Sequence, residues 1–107
     1  MAIEAGKFPV RIETASHLAP NVQIYYPQVA GLADFGAQER INRAIHSDAG
    51  QLYRWQMATQ IEGNTAMQGW YEIKTNERGV LSLIQANYAY TPPMAHGMTL
   101  AKSLTFS

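Results

Sequence analysis

An α+β fold, with an antiparallel sheet packed on one long amphipathic helix, follows from three features of the sequence. Apolar residues alternate with a period of two in several stretches, and one central stretch carries them at helical spacing instead. The strand-like stretches come in runs on either side of that helix, which argues against the regular strand-helix alternation of an α/β protein. With 107 residues the chain reads as a single domain, residues 1–107, large enough for one core and too small for two. Hydrophobic residues make up 47% of the chain and charged ones 15%, a composition that folds.

The elements follow in order. Phe8, Val10 and Ile12 alternate with Pro9, Arg11 and Glu13 and predict a first strand. A polar break over Ser16 to Asn21, with Pro20, separates it from a second in which Val22, Ile24 and Tyr26 share a face. These two strands predict a hairpin. Pro27 has no amide hydrogen for a ladder and is expected to end the second strand or to lie on an edge. Gly31 breaks the extended run, and the Asp34 carboxylate is placed to accept amide hydrogens of a first helical turn.

Ile41, Ala44, Ile45, Leu52 and Trp55 predict the buried stripe of the helix, with Arg40, Arg43, Ser47, Gln51 and Arg54 elsewhere. Gly50 is expected at a close backbone contact or a bend, and Gly63-Asn64 at the stop. From Met67 the pattern is extended again, with Trp70 to Thr75 as a strand, a turn at Asn76-Glu77-Arg78-Gly79, and Val80 to Tyr90 as its partner. Thr91-Pro92-Pro93 interrupts before a last strand that puts Met98, Leu100, Leu104 and Phe106 on one face and Thr99, Ala101, Ser103 and Thr105 on the other. A hairpin, a long helix and a three-stranded meander result.

Composition narrows function by exclusion. Eight basic residues balance eight acidic ones, so no net field draws the chain to nucleic acid or an anionic membrane, and neutrality favours self-association into a homo-oligomer. The absence of cysteine removes disulfides, thiolate metal sites and cysteine nucleophiles. No apolar run is long enough to span a membrane, and Met1-Ala2-Ile3-Glu4 lacks the basic and apolar regions of a signal peptide. His17, His46 and His96 have no metal-pair spacing, and no metal or other cofactor is expected. His46 reads as a boundary or surface residue and His17 as a turn residue. Glu62, Glu72 and Glu77 show no pairing, and no nucleophile, zinc or phosphate-loop motif is present.

The most unusual segment is Asn87-Tyr88-Ala89-Tyr90-Thr91-Pro92-Pro93-Met94-Ala95-His96-Gly97-Met98. A Pro-stiffened turn can present Tyr88, Tyr90 and His96 to a ligand, and these three are the candidate binding residues. The structural reading is a strand connection in which His96 anchors a nearby carbonyl and Gly97 adopts positive φ. Trp55, Trp70, Tyr71, Tyr88 and Tyr90 offer either a stacking surface or core. Arg40, Arg43 and Arg54 offer either an acidic-partner contact or a solvated face.

Several phrases in combination resemble a bacterial envelope domain of unknown function, found beside PdaC-like peptidoglycan deacetylase domains and in RsiV-like anti-sigma factors that sense lysozyme. They are Tyr26-Pro27-Gln28-Val29 with Gly31-Leu32, Ile41-Asn42 with Ile45, Gly79-Val80-Leu81-Ser82-Leu83, Asn87-Tyr88-Ala89-Tyr90, and Ala95-His96-Gly97-Met98-Thr99 running to Ser103-Leu104-Thr105-Phe106. The family usually has a Gly-Gly pair before Ala-His-Gly, where this sequence has Pro92-Pro93-Met94. Its members commonly continue into a C-terminal companion domain, whereas this sequence stops at Ser107.

The resemblance implies a non-catalytic binding or sensor module of the cell envelope, contacting a protein or a peptidoglycan fragment. Deacetylase activity belongs to a separate metal-binding domain and does not carry over. Two other classes stand beside this one: a small hydrolase or transferase with His96 as general base and Tyr88 or Tyr90 as helper, and a self-associating structural domain. The expected location is the extracytoplasmic bacterial envelope if the sequence is the trimmed part of a longer protein, and the cytoplasm otherwise.

Overall fold

The computed structural model describes residues 9–61 and 63–107. Phe8, Glu62 and the Met1 to Glu4 start lie outside them. The order is β1 (Arg11–Ala19), β2 (Val22–Ala30), α1 (Phe35–Thr59), β3 (Ala66–Glu77), β4 (Val80–Tyr90) and β5 (Met98–Phe106). The strands form one sheet in the order β1-β2-β3-β4-β5, with α1 against one face. The fold is mixed α+β, as the patterning predicts.

The sheet is mostly antiparallel, with one departure. β2 and β3 pair in parallel over Val22↔Met67 to Ile24↔Gly69, because the chain crosses back along a 25-residue helix and re-enters the sheet in its original direction. Gly69 is required at this seam, since a methyl there would meet the Ile24 backbone and side chain. The two hairpins turn tightly. The polar break after β1 shrinks to Pro20-Asn21, where Asn21 has φ 63°, and β1 pairs with β2 through Ala19↔Val22. Arg78 and Gly79, both at positive φ (53° and 81°), close β3 onto β4 in the manner of a type I′ turn.

Pro27 does not end β2, and it lies where β2 has an open edge on its β3 side. The strand continues to Ala30, and Pro27 is buried and pairs with Thr14 of β1. β3 leaves β2 after Ile24, so Pro27 stands where no neighbouring amide acceptor is offered. Asn42 of α1 takes the place of the missing strand two residues on. Its Oδ1 accepts from the Val29 amide at 2.7 Å and its Nδ2 donates to the Val29 carbonyl at 2.9 Å.

The helix begins as expected: Asp34 Oδ1 accepts from the Ala37 amide at 3.0 Å, and Gln38 Oε1 accepts from the Leu32 amide at 2.9 Å. It ends at Thr59, before Gly63. Ile41, Ile45, Val29, Val10, Leu81, Leu83 and Phe106 form the main core. Trp55 departs from the expected stripe and is 45% exposed, while Gln56 is fully buried. At 3.6 residues per turn, position 56 falls about 20° from the direction of Ile45 and position 55 about 80° away. Gln56 Nε2 donates to the carbonyls of Asn87 and Met98, both at 2.7 Å, tying the helix to β4 and β5 together.

Candidate functional site

β4 sorts its residues by period two. Leu81, Leu83, Gln85, Asn87 and Ala89 are buried toward α1, and Ser82, Ile84, Ala86, Tyr88 and Tyr90 turn to the opposite face. Cross-strand partners extend that second face: Trp70 and Ala101 flank Ala86, and Gln68 and Thr99 flank Tyr88. No described element covers it. Trp70 is 42% exposed and Tyr88 37%, and they lie diagonally across neighbouring strands, close enough to share a ligand. Tyr25 of β2, 41% exposed, borders a shallow depression with Gln23, Gln68 and Trp70.

The loop after β4 fixes one end of this face. Thr91 is fully buried and donates to Gln60 Oε1 at 3.0 Å, so the Thr65 hydroxyl donates to Thr91 Oγ1 at 2.6 Å. Pro92-Pro93 is a cis peptide within a turn closed by the Met94 amide on the Thr91 carbonyl at 2.9 Å. The Tyr90 hydroxyl donates to the Met94 carbonyl at 2.8 Å, which commits it to holding the loop. Tyr88 lies against Gly97, where a methyl would overlap its ring carbons and hydroxyl oxygen. Gly97 is thus needed for close approach of an aromatic ring, and it is not among the positive-φ residues that the structural reading of the loop expected.

The three candidate residues separate by role. Tyr88 presents its ring on the open face, Tyr90 braces the loop, and His96 is exposed with Nδ1 3.2 Å from the carbonyl oxygen of its neighbour Gly97. The expectation that His96 anchors a buried backbone group is corrected by this exposure, because the Gly97 carbonyl beside an exposed imidazole is within reach of water. Trp70, half-exposed beside Tyr88, belongs to the candidate surface. Its position at even parity in β3, in register with Ala86, is the signal that separates it from core aromatics.

The other candidates disperse. Tyr71 is half-buried, with its hydroxyl 2.6 Å from Thr14 Oγ1, and Trp55 lies on the helix side beneath Lys102 Nζ, 5.2 Å from the ring centroid. Arg40 and Arg43 are exposed. Lys74 holds the exposed Glu72 carboxyl below its usual range through a charged hydrogen bond of 2.5 Å. Among the described residues no three His, Cys, Asp or Glu side chains converge as a metal site would require. No described helix is long and apolar enough to cross a membrane.

Fold and face together define a small mixed α+β domain with a helix on one side of its sheet and an aromatic, uncovered surface on the other. The chain is similar in structure to a DUF3298 family protein of Pseudomonas aeruginosa PAO1, a domain of unknown function, with a TM-score of 0.52 at 16% sequence identity. The match covers 94% of this chain and 51% of that one, so the chain spans about half the length of the solved protein. The likeness is one of fold. No protein-family model and no curated protein matches the chain.

Proposed function

We propose that this domain is a non-catalytic binding or sensor module of the bacterial cell envelope that presents the open face of its sheet to a protein partner or a peptidoglycan fragment. The observation that carries the reading is the exposure of Tyr25, Trp70 and Tyr88 on a face that no described element covers. Tyrosine and tryptophan bring large contact area at low entropic cost and stack on sugar rings as readily as they fill a protein interface. The resemblance of the Tyr88 to Phe106 segment to envelope domains supports the setting. A binding role is supported by the exposure of His96 beside the Gly97 carbonyl and by the engagement of the Tyr90 hydroxyl with Met94.

The test is calorimetric titration of the domain with lysozyme and, separately, with soluble muropeptides, repeated with Trp70→Ala and Tyr88→Ala. Saturable binding of either probe, weakened at least about tenfold by each substitution, is the expected result, the magnitude of a contact hot spot. Binding that both variants retain unchanged would contradict the assignment of the face. So would saturation by neither probe.

A further inference from the structure

His46, Ala49, Gly50, Tyr53 and Arg54 follow one another at the i, i+3, i+4, i+7, i+8 spacing of a single helical stripe. That stripe lies on the flank of α1 next to the core, and the β1–β2 hairpin overhangs it, leaving a groove of about 330 Å³. The groove is on the helix side of the sheet, away from Trp70 and Tyr88. Its volume falls at the lower end of small-molecule sites and suits a molecule of one or two rings.

Its chemistry has one sign. Ile24 and Ala49 make an apolar floor, and Tyr26 and Tyr53 form walls, with the His46 ring edge-on to Tyr26 at 5.6 Å between centroids. At the rim stand Arg54, the one charged side chain, and His17, and none of the residues lining the groove is acidic. The missing side chain at Gly50 lets Arg54 fold close along the helix: a Cβ there would stand 3.3 Å from Arg54 Nη1, so the guanidinium covers this position and forms one edge of the groove. The sequence brings two histidines, two tyrosines and an arginine to one concavity from elements 29 residues apart, between His17 and His46.

We propose that this groove binds a small organic oxyanion carrying a flat ring. The ring would lie on the Ile24 floor between Tyr26 and Tyr53, and its carboxylate or phosphate would face the planar fork of Arg54, whose paired N–H donors match either group. The His17 imidazole would complete the shell on the hairpin side. The apolar floor selects for the ring and the unopposed positive rim selects for the charge, so neither an aliphatic anion nor a neutral arene uses both.

The experiment is a ¹⁵N NMR titration of the whole chain with benzoate, phenyl phosphate and the uncharged isostere benzamide. At least one of the two anions is expected to shift the amides of His46, Gly50 and Arg54 and to bind at least about fivefold more tightly than benzamide. Whichever anion binds more tightly identifies the charged group. Arg54→Gln should erase the preference over benzamide. Gly50→Leu should fill the groove and abolish binding of all three, with the thermal midpoint preserved because leucine is a better helix former than glycine. The proposal is overturned if benzamide binds as tightly as both anions, if no probe shifts these amides at millimolar concentration, or if Gly50→Leu binds as the parent does.

Discussion

The two ends of the helix–sheet interface both bury apolar clusters, and they differ in how much buried polar chemistry is added. At the N-terminal end Ile41 and Ile45 meet Val10, Val29, Leu81, Leu83 and Phe106, all apolar and at most 8% exposed. At the C-terminal end a second apolar cluster, Ile24, Met67 and Ala89 with Tyr53 packed on it, is joined by three buried polar side chains, Gln56, Asn87 and Thr91, all 1% exposed or less. Apolar burial stabilises the first end in proportion to area and has no direction. The second end adds directed bonds to its apolar cluster, and directed bonds fix position: the two donations from Gln56 hold β4 against β5 directly below the loop that seats Tyr88. The domain thus stabilises itself at one end and positions its candidate binding surface from the other.

Substitutions that attack each end separately sharpen the contrast. Ile45→Ala, which empties a fully buried position, should lower unfolding free energy by about 4 kcal/mol in a urea titration while leaving the open face able to bind. Gln56→Leu comes next, at about 2 to 3 kcal/mol, because two strand carbonyls lose their donor. If burial alone mattered here, the added apolar surface would make Gln56→Leu neutral or stabilising, and that outcome would break the comparison. Hydrogen exchange in Gln56→Leu should quicken selectively at the β4–β5 end near Met98.

Smaller effects lie on the flanks. Lys102 Nζ sits 3.3 Å from Asp48 Oδ1 and 2.7 Å from Gln51 Oε1, and Asp48 Oδ2 has no partner, so Lys102→Met should cost about 1 to 2 kcal/mol by leaving that carboxylate uncompensated. His96→Ala should change the denaturation midpoint by less than about 0.5 kcal/mol equivalent, since the imidazole is exposed and its nearest partner is a neighbouring carbonyl. Glu72→Gln is the smallest. Lys74 lowers the Glu72 carboxyl, so any stabilisation is present at neutral pH and lost as pH falls through the lowered value. Both side chains are exposed, and the midpoint at pH 7 should not move measurably.

Most of the fold was legible in the sequence because its signals are periodic. Alternation found five strands, although β1 runs on through Ser16 to Ala19 where a break was expected, the Asp34 cap and the Gly31 break placed the start of the helix, and the faces of β5 came out as observed. The parallel seam was not legible, since strand periodicity carries no direction and Gly69 announces only a close approach. Gln56 was missed because a polar residue in a helix reads as solvent-facing unless its angular phase is checked against Ile41 and Ile45. The candidate surface was half legible: Tyr88, named from the sequence, lies on the open face, the Tyr90 hydroxyl is bonded into the loop, His96 is exposed beyond it, and Trp70 required the β3–β4 register. The groove was encoded as a second helical stripe, but its Gly50 read as a close backbone contact or a bend, whereas the atom over it is Nη1 of the Arg54 side chain one turn on.

The two tryptophans provide the most direct test of the claim that ligand meets the open face. Trp70 lies on that face, and Trp55 lies on the helix side beneath Lys102, so one titration carries its own control. Following both indole N–H signals while adding lysozyme or muropeptides, the account predicts a saturable shift of Trp70 and a stationary Trp55. A shift of Trp55 with Trp70 unmoved, or saturation that leaves both in place, would contradict it.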